Sequence, residues 1–311
     1  MSANVESMFF VGREKPWHGL GRSVESAPTS KDAIRYAGLD WNVEQHPIFL
    51  GNGIKIMGNY ANVRSSDGRV LGIVGERYKI VQNSEAFEFT DALLGEGVRY
   101  ETAGSLKDGR TVWLLAKMPE NIEILGDEVE PYLVFTNTHD GSGAVRVTMT
   151  PVRVVCNNTL NLALRTAKRV WSARHTGSIQ NKLDEAMETL KFANKYMEAT
   201  KKTMEELHKV KLSDVTLYRT FQNIIPIGKD ITDRQKENLK RLSDDILYRY
   251  NNAPDLTVLD RTGARLVQAV ADTTSHITPL RQTANYKENH FKSMLDGNDL
   301  LDRTVNILLS A

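Results

Sequence analysis

The sequence predicts an α+β protein. An N-terminal antiparallel sheet, built from hairpins and packed with a basic helix, is expected over residues 1–176. A helical region with one long helix is expected over 177–311. Three observations carry this. Asp-Gly turns recur between β-branched and apolar runs in the first half. Apolar residues recur at spacings of three and four in the second. The change from one pattern to the other falls near Gly177.

The hairpins come first. Ile54–Arg64 and Arg69–Val74 flank Ser66-Asp67-Gly68. Val98–Leu106 and Arg110–Met118 flank Asp108-Gly109. Glu130–Asn137 and Ala144–Val155 flank Asp140-Gly141-Ser142-Gly143. Tight hairpin turns need φ > 0, which Asp-Gly supplies at low cost, so each flanked pair reads as two antiparallel strands. Helices are expected at Ser30–Ala37, started by Thr29 or Ser30, and at Ser84–Leu94, capped by Asn83 or Ser84. Pro151 has no N–H for a ladder and marks a bulge or an edge.

In the second half, Ile179, Leu183, Ala186, Leu190, Ala193, Met197, Met204 and Leu207 form a narrow apolar seam, with a weak step at Thr200. The seam predicts a helix of about 30 residues. Thr232-Asp233-Arg234-Gln235 is a capping box that opens a helix to about Tyr250, ended by Asn252-Ala253-Pro254. Further helices are expected at Arg261–Ser275, Tyr286–Leu295 and Asp299–Leu309, with Gly297 as a stop signal.

Composition is that of a globular chain: 311 residues, 41% hydrophobic and 25% charged. The single cysteine, Cys156, excludes an intrachain disulfide. The start, MSANVESMFF, lacks the basic and long apolar regions of a signal peptide. No run of apolar residues is long enough to span a membrane. A cytoplasmic protein is the expectation. Net charge is only +1, yet it is unevenly spread. Residues 1–140 carry 14 basic and 20 acidic side chains, net −6. Residues 141–183 carry seven basic side chains and no acid. Residues 184–311 carry 19 of each. A concentrated cationic segment points to an anionic partner, unless it pairs with the acidic first half of the same chain.

The strand–turn–helix unit from about Pro131 to His175, which holds most of that segment, is the predicted functional centre. Asn157–Arg174 reads as a helix with Leu160, Ala163, Leu164, Ala167 and Trp171 on one face and Asn158, Asn161, Arg165, Lys168 and Ser172 on the other, Arg169 at the margin. Arg146 and Arg153 lie on the preceding strand. Arg146, Arg153, Arg165, Lys168, Arg169 and Arg174 would contact phosphates, and Asn158 and Asn161 would serve as neutral donors. Trp171 and His175 are candidate stacking platforms, with a core position the competing reading for Trp171.

Catalytic motifs are not evident. Cys156 and His139 sit at opposite ends of one predicted strand, too far apart for a nucleophile and its base. His139-Asp140 lacks the further ligands of a metal site, and the seven histidines show no ligand spacing. Neither GxGxxG nor GxxxxGK[ST] occurs. Asp140 reads as a turn residue, and Pro16-Trp17-His18-Gly19-Leu20-Gly21 as a tight turn that pins the N-terminus. No cofactor and no metal is expected.

Several stretches together carry a family resemblance. They are FFVGREKPWHGLG, SSDGRVLGIVGERYKIVQNSEAF, YETAGSLKDGRTVWLLAKMP, EPYLVFTNTHDGSGAVRVTMTPVRVVCNNTLNLAL and the C-terminal stretch ending in ENHFKSMLDGNDLLDRTVNILL. The chain resembles a phage- and plasmid-borne family of conserved proteins of unknown function. The resemblance implies a mobile-element setting, a cytoplasmic protein and neighbours in DNA processing or anti-restriction. It carries no catalytic residue with it. Hairpins followed by a basic helix are also similar in order to the core of Rad52-like single-strand annealing proteins, an analogy of element order and charge alone.

The leading expectation is therefore nucleic-acid binding, single-stranded DNA favoured, serving single-strand annealing in phage recombination or replication. The long helix would support a homo-oligomer. The competing expectation is an anti-defence or anti-restriction protein that binds a host factor through the acidic first half. An enzyme acting on nucleotides or nucleic acid is the third.

Overall fold

The structure, a computed structural model, describes residues 5–11, 22–25, 29–94, 99–153, 158–159, 170–177, 179–226, 228, 231–276 and 299–310. It is mixed α+β, with an antiparallel sheet in the first half and helices in the second.

The main sheet contains β1 (Val5–Val11), β2 (Arg22–Val24), β6 (Arg99–Leu106), β7 (Thr111–Lys117), β8 (Ile122–Ile124), β9 (Asp127–Thr138), β10 (Val145–Arg153), β11 (Asn158–Thr159) and β12 (Val170–Ala173). Its order is β11-β10-β9-β7-β6-β1-β2, with β12 also on β10 and β8 also on β9. A second sheet pairs β3 (Val43–Phe49), β4 (Lys55–Arg64) and β5 (Val70–Gly75) in sequence order. All three Asp-Gly hairpins form as expected. Their turns hold Gly68, Gly109 and Gly141 at φ of 72°, 84° and 77°, a region that favours glycine.

Pro151 makes no bulge and lies directly opposite Pro131 in an unbroken β9–β10 register. Pro131 falls between the β8 and β7 pairings of β9. On the other side of β10, the pairings among the described residues leave Pro151 between β12 and β11, where its missing N–H is asked for no bond.

Two helices lie along the sheet. α1 (Ser30–Ala37) starts at Thr29, whose side chain accepts from Asp32 N, and ends at left-handed Gly38. α2 (Asn83–Leu94) follows the second sheet. With them, Phe87, Tyr100, Leu114, Leu133, Phe135, Val147 and Trp171 form one buried core. Trp171 is core, not a stacking platform.

The remaining helices are α3 (Ile179–Lys209), α4 (Asp214–Ile224), α5 (Asp233–Asn252), α6 (Pro254–Thr257), α7 (Gly263–His276) and α8 (Asp299–Leu309). α3 is the long helix, 31 residues. Met197, Met204 and Leu207 of its seam are buried. Thr200, the weak step, is buried too, and its hydroxyl donates to the Tyr196 carbonyl at 2.9 Å. The earlier seam side chains, Ile179 to Ala193, lie outside the described residues. The Thr232–Gln235 capping box forms in full. The helical core takes in Ile124, Val129 and Met149 from the sheet. The helix expected at Tyr286–Leu295 lies outside the described residues, as do Gly297, Cys156 and the Pro16–Gly21 turn. Among the described residues, no helix is long and apolar enough to cross a membrane.

The helix expected over Asn157–Arg174 is corrected by the structure at both described ends. Asn158–Thr159 and Val170–Ala173 are strands on the outer edge of β10. Val170-Trp171 joins a β-branched and an aromatic residue, which suit a pleated surface. At these two described ends, strand pairing with β10 replaces the expected helix.

Candidate nucleic-acid interface

The correction redistributes the predicted site residues. On β10, Arg146 lies opposite Thr136 of β9 and Ser172 of β12. Arg174 follows immediately after β12. Arg153 pairs with Asn158 and Val129 seven residues further along β10, about 23 Å away at a strand's rise per residue. Arg146 and Arg174 are therefore neighbours, and Arg153 and Asn158 belong to the far end of the strand. Asn161, Arg165, Lys168 and Arg169 lie outside the described residues.

Arg174 lines an open cleft of about 660 Å³ between the two sheets. One wall is Gly58 of β4 with Gly75, Glu76, Arg77 and Tyr78. The other is the turn Gly141-Ser142-Gly143-Ala144 with Arg174, His175 and Thr176. Four glycines leave backbone exposed along the walls. The lining holds two arginines, Arg77 and Arg174, and one acid, Glu76, with Asp140 adjoining it at the turn; Arg77 is exposed. Glycine-lined backbone, arginines and hydroxyls suit a phosphate group, which accepts from N–H donors and is drawn to fixed positive charge. Arg146 lies two residues along β10 from Ala144, outside the lining.

The cleft rests on a stiff base. Gly72 of β5 packs so closely on the turn that a Cβ there would lie 2.5 Å from the Asp140 Cα. Asp140 accepts from Ser142 N at 2.9 Å, and Thr138 Oγ1 from Gly143 N at 3.1 Å. Asp140 is thus a turn residue, as its position beside Gly141 suggests. Tyr78 donates its hydroxyl to the Thr138 carbonyl at 2.7 Å. His175 is buried and stacked on Tyr78, ring centroids 4.4 Å apart and 13° from parallel. Its Nδ1 lies 2.9 Å from the Lys79 carbonyl, and its own carbonyl accepts from Lys79 N at 2.8 Å. His175 therefore packs the base of the cleft and presents no ring for a nucleobase.

Behind the turn lies a buried polar cluster: Asn62, Asn83, Asn137 and His139. Asn62 donates to the His139 carbonyl at 2.7 Å, and Asn137 to the Val81 carbonyl at 3.0 Å. Asn83 donates to the carbonyls of Leu39 and Trp41, and its Oδ1 lies 3.1 Å from His139 Nε2. His139 also meets the Trp41 ring edge-on at 5.5 Å. Burial, helped by the nearby His175 and opposed by Asp140, pushes the His139 pKa down to about 3. The ring is neutral, and the cluster fastens both sheets and α2 together. Asn83 reads as a helix cap in the sequence; in the structure it is the first residue of α2, Gln82 holds the cap position, and the Asn83 side chain is a cross-link instead, a role with no sequence signal.

A further charged group sits on β6, β7 and β9. Lys117 pairs with Glu130, and Tyr132 donates to Glu130 at 2.5 Å. Burial pushes the nearby Glu101 carboxyl up, partly offset by Lys117. None of these lines the cleft. Among the described residues, no group of three His, Cys, Asp or Glu side chains is placed to hold a metal ion. Part of the acidic excess of the first half is used internally. Arg64, buried against Trp41, donates to Glu6 at 2.7 Å and to Asp67 at 2.6 Å and 2.9 Å.

Comparison with known proteins gives one relation. No curated protein matches the chain, and no solved structure does. A family described as a domain of unknown function (DUF932) matches residues 70–295, a span running from β5 through the cleft turn, the long helix and α7. The chain belongs to that family.

Proposed function

We propose that the protein binds nucleic acid, single-stranded DNA favoured, with the phosphate backbone lying in the cleft between the two sheets. The observation that supports this reading is that Arg77 and Arg174 line one cleft from its two walls, with glycine backbone beside them. Arg146 extends the positive charge along β10. The acid-free segment 141–183 adds to it from the same stretch of chain. Annealing of complementary strands in a mobile-element setting, in the cytoplasm and as a homo-oligomer, is the activity such binding would serve.

The test is fluorescence anisotropy of a labelled single-stranded oligonucleotide across a salt series. Binding is expected at low salt and should weaken steeply as salt rises, because phosphate contacts release counterions. The double substitution Arg77→Glu with Arg174→Glu is expected to weaken it at every salt concentration. Absence of binding at low salt, or indifference to the double substitution, overturns the proposal.

A further inference from the structure

The hairpin that forms one wall of the cleft ends in an exposed apolar tip. Phe49 is 57% exposed, Leu50 50%, Ile54 59% and Met57 78%. The turn is built rather than loose. Leu50 N donates to the Ile54 carbonyl at 2.8 Å, Gly53 N to the Leu50 carbonyl at 2.8 Å, and Ile54 N to Asn52 Oδ1 at 3.2 Å. Exposure of four large apolar side chains on one turn and its flanking strands costs hydration free energy, and a patch of this kind marks a contact surface.

The tip is continuous with the cleft. The β3–β4 register passes from Pro47↔Tyr60 to Ile48↔Ile56, leaving Met57, Gly58 and Asn59 as extra residues on β4. Gly58, at φ +74°, lines the cleft, and exposed Met57 precedes it. Such an irregularity re-aims the strand at that point. Ile54 is four residues from Gly58, about 13 Å of strand. Charge narrows the occupant. Lys55 is the only charged residue from 47 to 63, so the tip adds positive charge and no acid beside Arg77 and Arg174.

We infer that Phe49, Leu50, Ile54 and Met57 form a platform for unpaired nucleobases of the strand whose phosphates occupy the cleft. The inference rests on the nucleic-acid reading above and names the form bound, a single strand with splayed bases. Phe49 supplies the ring on which a base can stack, and Leu50, Ile54 and Met57 add apolar contact around it; every base has such a face, so binding needs no sequence preference. A duplex keeps its bases stacked inside and offers the tip nothing.

The experiment uses the full chain and three probes of equal length: a single-stranded oligonucleotide, the same backbone with abasic sites throughout, and a duplex. The wild-type protein is expected to bind the base-bearing single strand at least about fivefold more tightly than the other two. Phe49→Ala with Met57→Ala should remove that preference and leave the affinity for the abasic strand and the salt slope unchanged. Both positions are exposed, and a thermal melt checks that the variant folds. Equal wild-type affinity for base-bearing and abasic strands overturns the platform while leaving the cleft proposal standing. Loss of all binding in Arg77→Glu with Arg174→Glu, with the tip variant like wild type, does the same. No binding of any probe overturns both. Binding to phosphatidylserine vesicles, or concentration-dependent dimerisation, that the tip substitutions abolish assigns the tip to a membrane or a second copy and also overturns the platform.

Discussion

His139 makes the stability of this protein depend on pH, and the size of the effect follows from its surroundings. The ring is fully buried, lies 3.1 Å from Asn83 Oδ1 and meets Trp41 edge-on. Its pKa is pushed down to about 3, against about 6.5 in an unfolded chain. The unfolded state therefore binds a proton from pH 6.5 downward, and the folded state does not until about pH 3. Stability falls through that window. At pH 5 the unfolded ring is favoured by about 1.5 units of proton binding, a loss of about 2 kcal/mol relative to pH 7. The perturbation is His139→Gln, which keeps an amide donor for Asn83 and cannot titrate. It should cost about 1–3 kcal/mol at pH 7, from the lost ring contact and imperfect hydrogen bonding. It should also remove most of the acid-dependent loss. The assay is urea unfolding at pH 7, 6 and 5 for both proteins. His276, raised by Asp272, acts in the opposite direction in both proteins and cancels in the comparison. Parallel stability curves for wild type and variant would refute a buried neutral His139.

Other expectations rest on single contacts. Gly72→Ala places a Cβ against the Asp140 backbone and should destabilise by about 1–3 kcal/mol, read by urea unfolding, because backbone cannot swing aside. Arg64→Met removes the donor to Glu6 and Asp67 and should cost about 2 kcal/mol, less than for a fully buried pair, since both carboxylates are partly exposed. Arg64 holds the Glu6 carboxyl below its ordinary range, stability that is present at neutral pH and lost in acid. The variant should therefore lose less on acidification below about pH 4. Thr232→Ala breaks the capping box of α5 and should cost about 1 kcal/mol by thermal or urea unfolding.

The parts of the fold legible in the sequence are those with local chemistry. Asp67-Gly68, Asp108-Gly109 and Asp140-Gly141 set their hairpins because the turns require φ > 0 near those residues. Ser30–Ala37 is delimited by its own caps, Asp299–Leu309 by its apolar spacing, and the α3 seam by its period. What failed depends on distant partners. Val170–Ala173 carries a helical spacing with its upstream leucines and alanines, yet β10 offers it an open edge and the strand forms there. β1 and β3 have no turn signal on both flanks. At the site, Arg146 and Arg174 are brought near one another, whereas Arg153 and Asn158 are held at the far end of β10. Arg77 escaped the reading because it lies outside the acid-free segment and comes to line the same cleft as Arg174 only when the two sheets pack together. The one available hint was the recurrence of glycine at 58, 75, 141 and 143. His175 looked like a stacking ring and is one, but its stacking partner is Tyr78.

The central claim is that phosphates bind between Arg77 and Arg174. The direct measurement is the salt slope of single-stranded DNA binding for wild type and for Arg77→Glu with Arg174→Glu. Two lost phosphate contacts should flatten the logarithmic slope by about 1.4, at about 0.7 per contact on a single strand. Identical slopes in the two proteins, or no binding by the wild type at low salt, would contradict the account.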